Sequence, residues 1–192
     1  YRKHYAPNNA MLIIAGDTTL EKVRALAEKY YGPIPRRAVP ERVRPKEPPH
    51  RAARRVVLEN ERVTLPAWSR THLAPSYGAD EKGTGYALEV LAQVLGGGST
   101  SRLYRKLVIE RGIASNAGAW YSGDGLDYGE FGIYASPKAG GDIDALEKAV
   151  LEELAAAIKE GFKPADIDRA KRLMSAQAIY ARDGIRAGPN SI

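Results

Sequence analysis

The chain has 192 residues, of which 44% are hydrophobic and 27% are charged, and its net charge is +6. This length and balance predict a folded protein with one large domain or one and a half small ones. The absence of cysteine excludes disulfides and thiolate metal sites, and no apolar run reaches the roughly 18 residues needed to cross a bilayer.

The first predicted elements are one strand and one helix. Residues 10–15 form a short apolar run typical of a buried strand. A helix follows, with Thr18 or Thr19 as its N-cap and Gly32-Pro33 as its end. A single strand and helix are too small to make a core of their own, so we expect residues 1–32 to belong to a larger preceding domain.

The excess positive charge lies in the next stretch. Residues 36–55 contain eight Lys or Arg against two Glu, and residues 33–49 hold six of the twelve prolines. Proline prevents helix and central strand formation, so residues 33–50 are predicted to be an extended linker. No aromatic side chains interleave the basic ones, and no nucleic-acid motif accompanies them, which argues against a nucleic-acid partner.

The remainder of the chain alternates pairs of strands with pairs of helices. In chain order, the pattern predicts strands at 54–59 and 64–73, helices at 80–94 and 102–111, strands at 115–121 and 127–135, and helices at 142–159 and 164–182. The spacing of Asp144 and Glu147 suggests a capping box at the third helix. This order predicts an α+β fold with helices packed on one face of a mostly antiparallel sheet.

A run of three glycines joins the first two helices of this part. Gly96, Gly97 and Gly98 allow a sharp change of direction, and the hydroxyl groups of residues 99–101 can cap the next helix. The run lacks the spacing of a phosphate-binding loop. It is predicted to be a tight helix–helix corner whose open backbone can also line a cleft.

Several segments together resemble the pitrilysin-type (insulinase) zinc metallopeptidases, the family of the mitochondrial processing peptidase. The segments are residues 5–17, residues 31–35, the glycine run with Ser101-Arg102-Leu103-Tyr104, and residues 110–114. Each alone is a weak pattern, but their order and spacing are specific. The resemblance implies a processing-peptidase-like, non-catalytic homologous domain at residues 51–192, cut at its C-terminal end.

The catalytic motif of that family is absent from this chain. His-x-x-Glu-His places two zinc ligands and a general base on one helix face. The histidines here are His4, His50 and His72, which share no helical spacing. The acidic residues Asp124, Asp127 and Glu130 lack the regular alternation of a calcium loop, and they lie at a predicted hairpin turn, where a solvated turn is the expected structure. We therefore expect no catalytic residue, metal or cofactor in this segment, and the resemblance implies zinc in an N-terminal domain.

Candidate functional residues cluster at the glycine corner. We expect these to form a substrate groove or a domain interface: Gly96, Gly97, Gly98, Ser99, Ser101, Arg102 and Tyr104. The family often carries an arginine and a tyrosine seven residues apart in the following segment, where they help hold the substrate at the zinc site. Val108 and Ser115 stand at those positions and cannot stabilise an oxyanion.

The resemblance thus implies the non-catalytic domain of a zinc metalloendopeptidase that encloses and orients peptides. Its expected partners are an N-terminal zinc-peptidase domain, unfolded peptide or protein substrates, and a homologous subunit that supplies the missing Arg/Tyr pair. The alternative is a catalytically inactive scaffold or assembly subunit of the same fold. In a bacterium, the sequence leaves the periplasm and the cytoplasm as alternative compartments.

Overall fold

The computed structural model describes residues 3–45, 48, 50–79 and 82–183. The chain divides into two compact units, residues 49–174 and residues 1–48 with 175–192.

The N-terminal unit contains a short 3-10 helix, Pro7–Asn9, and helix α1, Leu20–Tyr30. The Thr19 side chain caps α1 by accepting a hydrogen bond from the Lys22 backbone N–H. The helix prediction is therefore confirmed, with Thr19 rather than Thr18 as the cap.

The predicted strand at residues 10–15 is wrong, because this run is neither helix nor strand and its side chains are exposed. A strand needs a neighbour to take up its backbone hydrogen bonds. The described residues of this unit offer the run no strand to pair with. The start of the linker is held instead by Asn8, whose side-chain amide exchanges two hydrogen bonds of 3.1 Å with the Arg37 backbone.

The larger unit contains a three-stranded sheet with the order β1-β3-β2. The strands are β1, Trp68–Pro75, β2, Ala114–Ser122, and β3, Tyr128–Pro137. Both pairings are antiparallel, and β2 and β3 form the predicted hairpin. This confirms the mostly antiparallel sheet.

Three helical segments pack against the sheet, and a fourth follows them and continues past residue 174, where the larger unit ends. They are α2, Thr84–Gly96, a π-helix, Tyr104–Glu110, α3, Ile143–Glu160, and α4, Pro164–Ala181. Helix α2 and the π-helix pack against β2, and α3 packs against β3. The predicted layer of helices on one face of the sheet is thus confirmed.

The core lies between that sheet face and the helices. Leu103 immediately precedes the π-helix and Leu107 lies within it, while Leu146 and Val150 lie on α3. All four side chains are almost fully buried. They meet small and branched side chains of the sheet: Ala117, Ala119, Ile133 and Ala135. Small residues on β2 allow the helices to approach closely, which fixes the position of the glycine corner.

Two predicted strands need correction. Residues 54–59 form no strand, and Val56, Val57 and Leu58 are exposed. This segment is anchored at Arg55, which binds Asp144 at 3.1 Å and also Glu147. The strand predicted at residues 64–73 begins four residues later and ends two residues later, as β1.

The helix boundaries also differ from the pattern. Helix α2 begins at Thr84 rather than at residue 80, which lies outside the described residues. The segment after the glycine corner is largely a π-helix, in which the Arg111 N–H donates to the Lys106 carbonyl five residues earlier. Asp142 caps α3 by accepting from the Asp144 N–H at 2.9 Å. The capping box expected at Asp144 and Glu147 is therefore wrong, because those carboxylates bind Arg55.

Candidate functional site

The glycine corner begins where α2 meets the sheet. Gly96 is the last residue of α2, and a β-carbon built on it would overlap the backbone of Gly118 and Ala119 in β2. Only glycine permits this approach, because any side chain would push the helix off the strand. The corner is therefore fixed to the sheet.

The turn itself is closed by its own side chains. Gly97 ends α2 by donating its N–H to the Gln93 carbonyl at 3.0 Å, and the Gln93 side chain donates back to the Gly97 carbonyl at 3.0 Å. Gly98 adopts a φ of +95°, in the left-handed region that favours glycine. Its surroundings are open, so this part of the corner faces free space.

Ser101 serves the turn rather than a ligand. Its side-chain Oγ donates to the Gly98 carbonyl at 2.6 Å and its backbone N–H donates to the same oxygen at 3.1 Å. The residue is only 3% exposed. The hydroxyl is thus a donor inside the corner, and not the acceptor that a helix N-cap requires.

Arg102 links the corner to α3. Its guanidinium lies 2.8 Å from Glu160 and 3.5 Å from Glu153. The side chains of Arg102 and Glu153 are 15% and 16% exposed, so this pair is largely removed from water, whereas Glu160 is open to solvent. A carboxylate buried to this degree needs its cation.

A cavity of about 330 Å³ opens beside Arg102. It lies among the end of α3, the start of α4, and the segment that follows the glycine corner. Its lining includes five cationic and two anionic side chains: Arg102, Arg105, Lys106, Lys163, Arg169, Glu160 and Asp166. Val94 and Phe162 supply apolar contact surface. This is the size of the smaller ligand pockets of proteins.

The structure separates the predicted site residues. Of the seven, Arg102 lines this cavity, and its neighbour Thr100 lines it as well. Gly96 is buried against β2, Gly98 and Ser99 are exposed, and Tyr104 is half-buried. Most of the predicted site residues therefore form the turn that leads to the cavity, and of the seven Arg102 lines the cavity itself.

The two positions of the missing Arg/Tyr pair lie elsewhere. Val108 is half-buried and packs against the core. The Ser115 hydroxyl donates across the hairpin to the carbonyls of Pro137 at 3.0 Å and Ser136 at 3.3 Å. Neither residue lines the cavity.

No group of three His, Asp or Glu side chains within the described residues is arranged to hold a metal ion. All three histidines are among those residues, and partial burial together with Arg70 lowers the pKa of His72. The part of the chain that the structure describes thus does not fit a zinc site. That part also has no helix with the length and apolar character needed to cross a membrane.

Sequence reasoning missed the far side of the cavity. Lys163 and Arg169 lie about 60 residues beyond Arg102 and share no pattern with it. The available signal was Gly161, which was predicted to end α3 and has a φ of +70°. The residues after it turn back toward the corner, but only the folded chain shows what they meet.

The chain is similar to a known protein family and to proteins named zinc proteases. A model of the family described as "Peptidase M16 inactive domain" matches residues 1–174. An uncharacterised zinc protease of Streptomyces coelicolor is 31% identical over 203 residues, covering all of this chain and 42% of the relative. The zinc protease PqqE of Helicobacter pylori is 26% identical over 171 residues, covering 88% of this chain and 37% of the relative.

The fold also matches solved structures. A crystal structure of a protease from Helicobacter pylori superposes with a TM-score of 0.80 at 24% identity, covering 96% of this chain and 44% of that one. A peptidase M16-like protein from Alicyclobacillus acidocaldarius gives a TM-score of 0.65 at 17% identity, covering 90% and 40%. The chain spans less than half the length of the curated relatives it matches.

Proposed function

The chain belongs to the peptidase M16 inactive-domain family, and from that premise we propose that it is the non-catalytic part of a zinc endopeptidase. The observation that carries the proposal is the family match over residues 1–174, in a chain whose relatives are named zinc proteases and are more than twice as long. In this proposal, a separate N-terminal peptidase domain holds the zinc.

Residues 1–32 complete that preceding domain, residues 33–50 are the linker, and residues 51–192 are the non-catalytic domain. The exposure of apolar side chains in the first segment supports this division. Met11 is 78% exposed, and α1 contains no buried residue. The other large apolar side chains exposed here are Tyr5, Leu12, Ile13, Ile14, Leu20, Leu26, Tyr30 and Tyr31. Such a surface is costly in water unless another part of the protein covers it.

The sheet of the larger unit gives the domain a means of holding peptides. Among the described residues, β1 and β2 each pair on one side only, so both edges of the sheet carry unpaired backbone groups. An extended peptide can add to such an edge through main-chain hydrogen bonds, with little dependence on its sequence. The domain would then enclose and orient unfolded substrates as a wall of the reaction chamber.

A homologous partner subunit supplies the Arg/Tyr pair in this proposal. Val108 packs against the core and Ser115 bonds to backbone carbonyls, so neither position can stabilise an oxyanion. The same substitutions favour the second candidate function, a catalytically inactive scaffold that keeps the fold for assembly. The two functions differ in whether the assembled protein hydrolyses peptides.

The test combines the full 192-residue chain with the zinc-bearing domain of the same protein. We expect association that protects the backbone amides of residues 11–14 from hydrogen exchange, because the apolar run becomes covered. Leu12→Lys with Ile13→Lys should abolish it. Val56→Lys with Leu58→Lys changes two exposed apolar residues outside the run and should leave it intact.

Failure to associate would overturn the proposal. Association of the complete assembly, partner subunit included, without hydrolysis of an unfolded peptide would establish the scaffold function instead.

A further inference from the structure

The basic cavity beside Arg102 is placed to receive a negative charge. Helix α4 begins at Pro164, and the cavity is lined by Lys163, which precedes the helix, and by Asp166 of its first turn. The aligned backbone dipoles of this 18-residue helix place a partial positive charge at its start, where the Asp166 and Ile167 N–H groups donate to the Lys163 carbonyl. The helix therefore adds to the positive potential of the five cationic side chains in the lining.

The ion pairs around the cavity leave part of this charge uncompensated. The single carboxylate of Glu110 forms ion pairs with both Arg105, at 3.5 Å, and Lys106, at 2.6 Å. Lys163 forms no ion pair with any side chain in the described part of the chain. Arg102 pairs with Glu153 and Glu160, and Arg169 pairs with Asp166 at 2.8 Å. The five lining cations thus face four carboxylates, those of Glu110, Glu153, Glu160 and Asp166, which leaves an excess of one positive charge.

The lining also limits the kind of anion that fits. Two carboxylates in the wall repel a polyanion such as a nucleic acid or polyphosphate. A single carboxylate would balance the excess without this repulsion. Val94 and Phe162 offer apolar contact for the methylene groups that carry a carboxylate in Asp or Glu.

We propose that this cavity binds an acidic side chain of the extended polypeptide that the domain holds. This inference rests on the proposed function, which supplies the polypeptide. The cavity would give the domain a preference for peptides with an acidic side chain, which pairing of backbone groups at the sheet edge does not provide. Peptides with Asp or Glu at the position facing the cavity would be held in a fixed register.

Two dye-labelled octapeptides test the proposal by fluorescence anisotropy with the full 192-residue chain. One carries a central Glu-Asp pair and the other carries Gln-Asn, with all other residues uncharged and identical. At low salt, we expect the acidic peptide to bind about tenfold more tightly than the amide peptide, and the difference to shrink as salt is added. Equal affinity for the two peptides would overturn the proposal.

Two pairs of substitutions locate the effect. Arg105→Gln with Lys163→Gln should remove most of the preference and leave the affinity of the amide peptide unchanged. Lys171→Gln with Arg172→Gln removes the same charge from exposed positions of α4 outside the lining, and should keep the preference. An equal loss in both variants would mean that net charge alone attracts the peptide, and would overturn the cavity assignment.

The outcomes also separate the two proposals. If the amide peptide binds and the acidic peptide gains nothing, the cavity assignment fails while edge binding stands. If neither peptide binds, peptide binding by this domain fails as well.

Discussion

Gly96 at the end of α2 lies directly against the backbone of Ala119 in β2, with no room for a side chain between them. This contact joins the helix layer to the sheet at the point where the chain turns toward Arg102. The glycine run predicted this turn, but glycine is required for different reasons at different positions of the run. Gly96 is needed for space, whereas Gly98 is needed for its backbone conformation.

Gly96→Ala is expected to destabilise the chain by about 3 kcal/mol or more, because the new methyl group overlaps strand backbone that cannot rotate away. Gly98→Ala meets open space and costs only the left-handed conformation, about 1 to 2 kcal/mol. Urea unfolding of both variants measures the difference. Equal effects would show that α2 can shift away from β2.

Arg102→Met is expected to cost about 2 to 3 kcal/mol, because it leaves the largely buried Glu153 carboxylate without its cation. Arg111→Met is a matched control. Its pair with Glu152 spans 3.5 Å between side chains that are 41% and 53% exposed, so its loss should cost less than about 1 kcal/mol. Adding Glu153→Gln to the Arg102 variant should recover part of the stability. Chemical denaturation of the set tests this, and similar losses for both arginines would contradict it.

Glu147 is expected to make stability depend on pH. The hydrogen bond and positive charge of Arg55 lower the pKa of the Glu147 carboxyl, and the Trp68 side chain adds a smaller effect in the same direction. A lowered pKa in the folded state means that the unfolded chain binds the proton more readily. The stabilisation is therefore present above the unfolded pKa and is lost as the pH falls through the folded one.

The measurement is the urea midpoint between about pH 6 and pH 3. The natural chain should lose more stability over this range than Glu147→Gln. Arg55→Gln should flatten the same pH dependence, because it removes the cation while the carboxyl remains. A pH dependence that neither substitution changes would show that the segment around Arg55 does not hold to α3.

The apolar periodicity predicted most of the larger unit. The β2–β3 hairpin and the helices at α3 and α4 lie where alternation and helical spacing placed them, because their side chains make the contacts that those patterns imply. The runs at 10–15 and 54–59 have the composition of strands but lack a neighbour in the described structure. Composition gives the preference of a strand and does not supply its partner.

The sequence predicted only the side of the candidate site that contains the glycine run and Arg102. The glycine run and Arg102 stand in one continuous segment with a recognisable pattern. The cavity that Arg102 lines depends on Lys163 and Arg169, which the turn at Gly161 brings back toward the corner. Long-range placement of charged side chains leaves no periodic signal, so ion pairs such as Arg102–Glu153 appear only in the folded chain.

A non-catalytic domain should neither hold zinc nor hydrolyse peptides, so the zinc content and the peptidase activity of the chain are the first properties to measure. The full 192-residue chain would be incubated with zinc, dialysed, analysed for bound metal, and assayed on an unfolded peptide. We expect no stoichiometric zinc and no hydrolysis. One zinc ion per chain that survives dialysis, accompanied by peptide cleavage, would contradict this expectation.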